Sequence, residues 1–384
     1  MDFAETEEQV MLREAVARLA ADFGHGYWVD CVRRGAKTSE LWAALSEAGF
    51  VGVAVDERYG GGGRGISELA IVTEEVAAAG CPLLLLIVSP AICASIIGRF
   101  GDEDQRQRWM PGFASGTPKM AFAITEPDAG SNSHNIAVRA ERDGDTWRIR
   151  GTKYYISGCD EAEALLVVTR TGTDPDTGRA RLSLFVVDLD APGLELTPIP
   201  MEITAPEKQF TVFFDDVDVG ADRLVGTEHD GLRQVFAGLN PERITGAAVS
   251  SGIARFALGR AAEYARQRQV WGVPIGSHQG IAHPLARAKI DVELARLMTQ
   301  KAAWAYDAGL EAAEAANMAK FAAAEAGLAA LDQAIQTHGG NGLSSEFGLA
   351  DLWGMARLLR TAPISREMIL NFVAQHSLGL PKSY

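Results

Sequence analysis

The sequence predicts an α+β protein in which an N-terminal helical domain (residues 1–117), a middle antiparallel β domain (118–228) and a C-terminal helical bundle (229–384) follow one another. Three observations carry this prediction. Apolar residues recur with a helical period up to about residue 117. Between Lys119 and Val225 they alternate instead, among β-branched residues and turn dipeptides. From Gly231 onward, long helical patterns return, and neither repeats nor low-complexity tails interrupt the order.

Each element has a local reason. "TEEQVMLREAVARLAADF" sets Val10, Leu12, Val16, Leu19 and Phe23 on one broad helical face, with Thr6 as the N-cap. "SELWAALSEAGFVGVAV" opens a second apolar-periodic run at Ser39 and loses the pattern near Gly49. "YGGGGRG" (59–65) has neither a preceding strand nor a Walker lysine, so it reads as a structural turn rather than a phosphate cradle. The most apolar run, "CPLLLLIVSPAICASII", is broken by Pro82 and Pro90 and is too short for a membrane span; it reads as a core helix. In the middle, "VRAERDGDTWRIRG" holds Asp143-Gly144 between alternating segments, a hairpin signal. "EALLVVTR", "RLSLFVVDL" and "KQFTVFFDDVDV" are further strands and "TDPDTG" an exposed turn, giving a compact antiparallel sheet or a small barrel. Three long helical segments follow, the last stopped by Gly339-Gly340.

Composition narrows the function. The 384 residues are 47% hydrophobic, enough for a large core in one multilayered unit or two to three domains. Thirty-six basic against 50 acidic residues give a net charge of −14, which excludes generic nucleic-acid or anionic-membrane binding but leaves room for a local basic pocket. Cys31, Cys81, Cys93 and Cys159 show no CxxC spacing and read as reduced, mostly buried thiols of a cytoplasmic protein. The acidic start "MDFAETEEQV" lacks an apolar signal region. His278 and His338 have no second ligand at metal spacing, so both read as structural and no metal is expected.

Four stretches in order, "FAITEPDAGSN" (122–132), "GTKYYISGCDEAEALLVVTRT" (151–171), "RQVWGVPIGSHQGI" (268–281) and "QTHGGNGL" (336–343), resemble the acyl-CoA dehydrogenases. With "LSEAGFVGVAVDERYGGGG" near the start, the resemblance covers essentially the whole chain. It implies FAD as cofactor. A flavin ring needs hydrogen bonds at its heteroatoms and a flat, dry wall. The resemblance gives those tasks to Phe122, Ile124, Thr125, Gly130 and Ser131 in the first stretch, and to Tyr155, Ile156 and Ser157 in the second. Alone, each stretch would pass for an ordinary strand and turn. The resemblance further implies that Arg268, Trp271 and Gln279 meet the pyrophosphate and adenosine end of the cofactor. Gln336, Gly339 and Gly340, with Gly342, would approach it across a subunit boundary, and Ser365 stands where the family has a threonine. A homotetramer that passes electrons to an electron-transfer flavoprotein is the implied assembly.

"GLNPERITGA" (238–247) holds the chemical question. By itself it reads as a helix start: Asn240 caps, Pro241 takes the first helical position, and the Glu242 carboxylate complements the dipole. The resemblance implies more. The family removes an α-proton from an acyl-CoA thioester while hydride leaves the β-carbon to flavin N5, giving the trans-2-enoyl product. The base must be a desolvated carboxylate. Many members keep it near the C-terminus, in a Glu-Gly pair ahead of a threonine. Here "LLRTAPISREM" puts Pro363 and Ile364 there. Isovaleryl-CoA-type members carry it instead at the start of the first long C-terminal helix, just before an arginine, and "NPERI" matches. Glu242 is then the base, with Asn240, Arg243 and Ser131 on the substrate side. Proline has no N–H, so half of the family's thioester-carbonyl site is missing or passes to Ile364. Glu367, a helical turn beyond, reads as a solvated charge. Two alternatives stay open: a non-catalytic flavin- or CoA-ester-binding subunit of a related dehydrogenase, and an acyl-CoA oxidase using oxygen.

Overall fold

The computed structural model describes residues 4–382. Helix α1 (Glu7–Arg33) starts with a reciprocal cap: Gln9 N donates to Thr6 Oγ1 at 3.2 Å and Thr6 N to Gln9 Oε1 at 3.1 Å. Helix α2 spans Ser39–Glu47. The glycine run folds back on residues 52–55, with Gly62 N on Gly52 O and Gly63 N on Val55 O. A Cβ at Gly61 would lie 2.2 Å from the Val55 carbonyl, so this glycine serves close chain approach, as expected of a structural turn. Helix α3 (Ile66–Ala78) follows. The apolar run becomes a wide-turned helix, Ile87–Cys93, flowing into α4 (Ala94–Phe100) and α5 (Glu103–Ser115). Among the described residues no helix is long and apolar enough to cross a membrane.

The middle domain holds β1 (Met120–Ala123), β2 (Arg139–Asp143), β3 (Thr146–Ser157), β4 (Ala164–Thr173), β5 (Ala180–Asp188), β6 (Leu194–Ile199), β7 (Gln209–Gly220) and β8 (Leu224–Val225). Among the described residues their order is β6-β7-β3-β2-β4-β5-β8, with β1 beside β4. Three expectations need correction. The sheet is open rather than a barrel, and β1–β4 and β2–β4 pair in parallel. The β2–β3 hairpin pairs Asp143 with Thr146, so the turn is Gly144-Asp145, one residue later than the sequence reading, with Gly144 at φ 62°. Leu166, Val168, Leu184 and Val186 face the α4–α5 layer, while Leu165, Val167, Phe185 and Val187 pack against β3 and β7.

The C-terminal domain comprises α6 (Gly231–Gln267), a short hairpin β9 (Gln269–Val270) and β10 (Val273–Pro274), α7 (Gln279–Asp307), α8 (Ala313–His338), α9 (Trp353–Thr361) and α10 (Arg366–Phe372). Small residues bring the helices close: a Cβ at Gly252 of α6 would lie 2.4 Å from Glu74 O of α3. Glu74 and Glu75 of α3 are buried among Arg13, Arg255 and Arg296, tying α1, α3, α6 and α7 together. The four cysteines are free and buried, as expected.

Candidate active site

Helix α6 begins at Gly231, so Asn240 is not an N-cap and Glu242 not a first-turn charge; that local reading is corrected. Glu242 lies about three turns inside, beyond the reach of the dipole at the helix end. Pro241 removes the N–H that would bond Ala237 O, and the Tyr306 hydroxyl of α7 donates to that carbonyl instead, at 2.9 Å. Thr245 Oγ1 donates to Pro241 O at 2.8 Å. The proline inside the helix is thereby accommodated by one partner distant in sequence, Tyr306, and one on the next turn, Thr245.

Glu242 is half-buried, and desolvation lifts its carboxyl to about 7, against the pull of Arg243 and Lys320. Arg243, 5% exposed, donates through Nη1 to Asn240 Oδ1 at 2.8 Å, while its buried Nε has no partner among the described residues. Lys320 of α8, which the sequence reading passed over, is 2% exposed, pulled down to about 8 by burial, and donates to Ile364 O. It fixes the 362–365 loop. Pro363 comes over Gly246, one turn past Glu242: its Cδ is 4.0 Å from where a Gly246 Cβ would stand. The two positions that sequence comparison offered for the base are thus neighbours in space, and only Glu242 carries an acid. Ser365 caps α10, accepting from Met368 N at 3.3 Å, and Glu367 is exposed. An alternating lysine or a mid-helix lysine gives no sequence signal of burial, which is why Lys320 was missed.

The flavin-like stretches of the middle domain form a second group. Phe122 and Ile156 are buried, Ile124, Thr125 and Ser157 half-buried, and Gly130, Ser131 and Tyr155 exposed. A bulge between Lys153 and Ile156 turns Tyr155 outward at φ 58°, its ring against Tyr154. Ser157 Oγ donates to Gln209 Oε1 at 2.9 Å. At the end of the bundle lies a third group: Arg268, Trp271 and Gln279, all exposed, beside the corner holding Gln336, Gly339 and Gly340. His338 stacks on Tyr264 and Asn341 Nδ2 donates to Tyr264 Oη at 3.1 Å, fixing this corner one turn from Arg268. Gly342 belongs to packing rather than to a ligand, since its Cβ would lie 2.4 Å from Ile335 O.

These groups fit a flavin dinucleotide. Among the described residues, the side chains of Thr125, Ser131, Arg268, Gln279 and Gln336 make no hydrogen bond, and a Cβ at Gly130 or Gly340 would meet open space. No hydrogen bond, ion pair or ring contact among those residues joins the middle-domain group to the bundle-end group. The 690 Å³ groove lined by Arg64, Ser67, Ser95, Tyr306 and Asp307 includes none of these residues and not Glu242.

A three-domain shell of helices, sheet and helices, with a desolvated glutamate in the first long C-terminal helix, defines the class. Residues 6–117, 121–217 and 229–378 match the acyl-CoA dehydrogenase N-terminal, middle and C-terminal domains respectively. Acyl-CoA dehydrogenase FadE12 of Mycobacterium tuberculosis is 59% identical over 384 residues, 100% of this chain and 99% of that protein. A structure of glutaryl-CoA dehydrogenase with glutaryl-CoA has TM-score 0.94 at 30% identity, covering 100% of this chain and 98% of that one. Butyryl-CoA dehydrogenase from Megasphaera elsdenii gives TM-score 0.90 at 28% identity, covering 98% of this chain and 100% of that one. The chain belongs to the acyl-CoA dehydrogenase family. It is an acyl-CoA dehydrogenase, a flavoprotein oxidoreductase.

Proposed function

We propose that this enzyme performs FAD-dependent α,β-dehydrogenation of an acyl-CoA thioester, with Glu242 as the α-proton base. The observation that carries this is the Glu242 carboxyl, lifted to about 7 by burial beside the Pro363 turn. A base whose pKa lies near working pH combines a useful charged fraction with real proton affinity. Arg243, buried and bonded to Asn240, holds a positive charge beside the base. FAD, when bound, supplies the two-electron acceptor; Thr125, Ser131 and Ser157 would hold it on the middle domain.

The bundle-end group would complete the cofactor site of a second copy, in a homotetramer. Two features support this. Arg268, Gln279 and Gln336 present polar ends that are unpaired among the described residues, and Trp271 is 88% exposed. Along α7, Ile290, Leu294, Leu297 and Trp304 form an exposed apolar stripe that a second subunit would cover. An electron-transfer flavoprotein is the proposed electron acceptor.

The test is anaerobic mixing of the purified yellow protein with straight, branched and cyclic acyl-CoAs. Bleaching of the flavin absorbance by at least one of them is expected, with only slow reoxidation and slow release of hydrogen peroxide when air is admitted. A panel-wide failure to bleach would sink the reading, and peroxide released as fast as the flavin is reduced during aerobic turnover would make the enzyme an oxidase.

A further inference from the structure

A buried ion pair lies directly behind the "FAITEP" strand end. Lys153 is 0% exposed and Glu126 is 5% exposed. Lys153 Nζ donates to Glu126 Oε1 at 2.8 Å and to Ile124 O at 2.9 Å. Glu126 in turn accepts from Ala137 N at 2.7 Å and Val138 N at 3.0 Å, so its two oxygens close the whole 126–138 excursion onto β3. Between the two clamped residues, Tyr154 N donates to Thr125 O at 2.9 Å. Backbone groups on both sides of Thr125 are therefore fixed, while its side chain stays free of hydrogen bonds among the described residues.

A pair of this kind is costly as a mere stabiliser. Taking an ammonium and a carboxylate out of water offsets much of their attraction, and an apolar pair of similar volume would serve packing as well. What the pair supplies is direction: four fixed hydrogen bonds that hold an otherwise exposed loop in one shape. Gly130 and Ser131 lie on that loop, and among the described residues the Ser131 side chain makes no hydrogen bond to hold it.

We infer that Lys153 and Glu126 are positioning residues for the cofactor. They preform the Ile124–Ser131 loop so that Thr125 and Ser131 meet the flavin without ordering it at the moment of binding. This inference rests on the proposed FAD site. Neither side chain touches the cofactor; both act through the backbone of the loop.

The experiment is FAD titration of the flavin-depleted protein and of its Lys153→Met and Glu126→Gln variants. Affinity is read by fluorescence quenching, melting temperature with and without FAD, and the flavin absorption spectrum. Backbone hydrogen exchange at Ala137, Val138 and Tyr154 is followed in the same samples. Each variant is expected to bind FAD about 10–100-fold more weakly, the effect of losing a charge-assisted hydrogen bond that orders a loop. The FAD-induced rise in melting temperature should shrink, and the three amides should exchange faster. The double variant should lose little more than either single one, because the pair acts as a unit. Lower melting temperature with unchanged FAD affinity and spectrum in the variants would leave the pair a structural element only and overturn the inference alone. A parent protein that takes up no FAD would overturn the functional reading and the inference with it. Should Lys153→Met fail to fold, Glu126→Gln decides by the same readouts.

Discussion

Glu242 and Glu207 are both carboxyls that burial pushes to about 7, and they lie in different surroundings. Glu207 is in the segment before β7, 4% exposed, accepting from Leu85 N at 3.3 Å and raised further by Glu161. Its Oε2 has no partner among the described residues. It braces the start of the apolar helix against the sheet. Glu242 instead has Arg243 and Lys320 drawing its pKa down, and the Cys93 thiol feels its charge. Cations beside a desolvated carboxyl keep its charged form accessible at neutral pH; another carboxylate beside it does the opposite. A perturbed pKa therefore marks a candidate, and the charges facing it decide whether it can act as a base.

The largest expected difference is in rate. Glu242→Gln keeps size but cannot accept a proton, and general-base loss costs about 10²–10⁴-fold. Glu207→Gln should leave the rate within a few-fold of the parent. Stopped-flow flavin reduction of both variants decides it, and equal losses would erase the distinction drawn here.

Stability against pH comes next, and here the two sites should agree. Each carboxyl has a folded pKa above its unfolded one, so its contribution is fully present below about 4.5 and lost as pH rises through about 7. Replacing either by glutamine removes that loss. Relative to the parent, both variants should gain roughly 1–3 kcal/mol between pH 5 and pH 8.5, measured by urea unfolding without FAD. No pH-dependent gain at Glu242 would mean that its carboxyl is better solvated than its surroundings indicate.

The smallest effect sharpens the contrast. Lys320→Met deletes a cation that favours the charged base, so the acid limb of the flavin-reduction rate should move up by about 0.5–1 pH unit. Glu207 has no such cation to remove. An unmoved limb with a lowered melting temperature would confine Lys320 to tying Ile364 in place.

The helices, most strands and the four flavin-like stretches were legible because each rests on local pattern: periodicity, caps, turn glycines and short motifs. The proposal of Glu242 rather than position 363 as the base also starts from the sequence, from one proline and one Glu-Arg pair. The start of α6 was not legible. Asn240-Pro241-Glu242 has every local mark of a helix beginning, whereas the true start at Asp230-Gly231 has no side-chain cap hydrogen bond. The Tyr306 hydroxyl, far away in sequence, makes the interior proline tolerable. Strand β6 was not legible because it carries Pro198 at a sheet edge. The parallel pairings and the open sheet depend on which distant strands meet. Lys153, Lys320 and Glu207 look like ordinary surface charges in the chain; only packing takes their water away. Local sequence sets conformational preference over a few residues, but desolvation, and with it the chemistry of a buried charge, is settled by neighbours from across the fold.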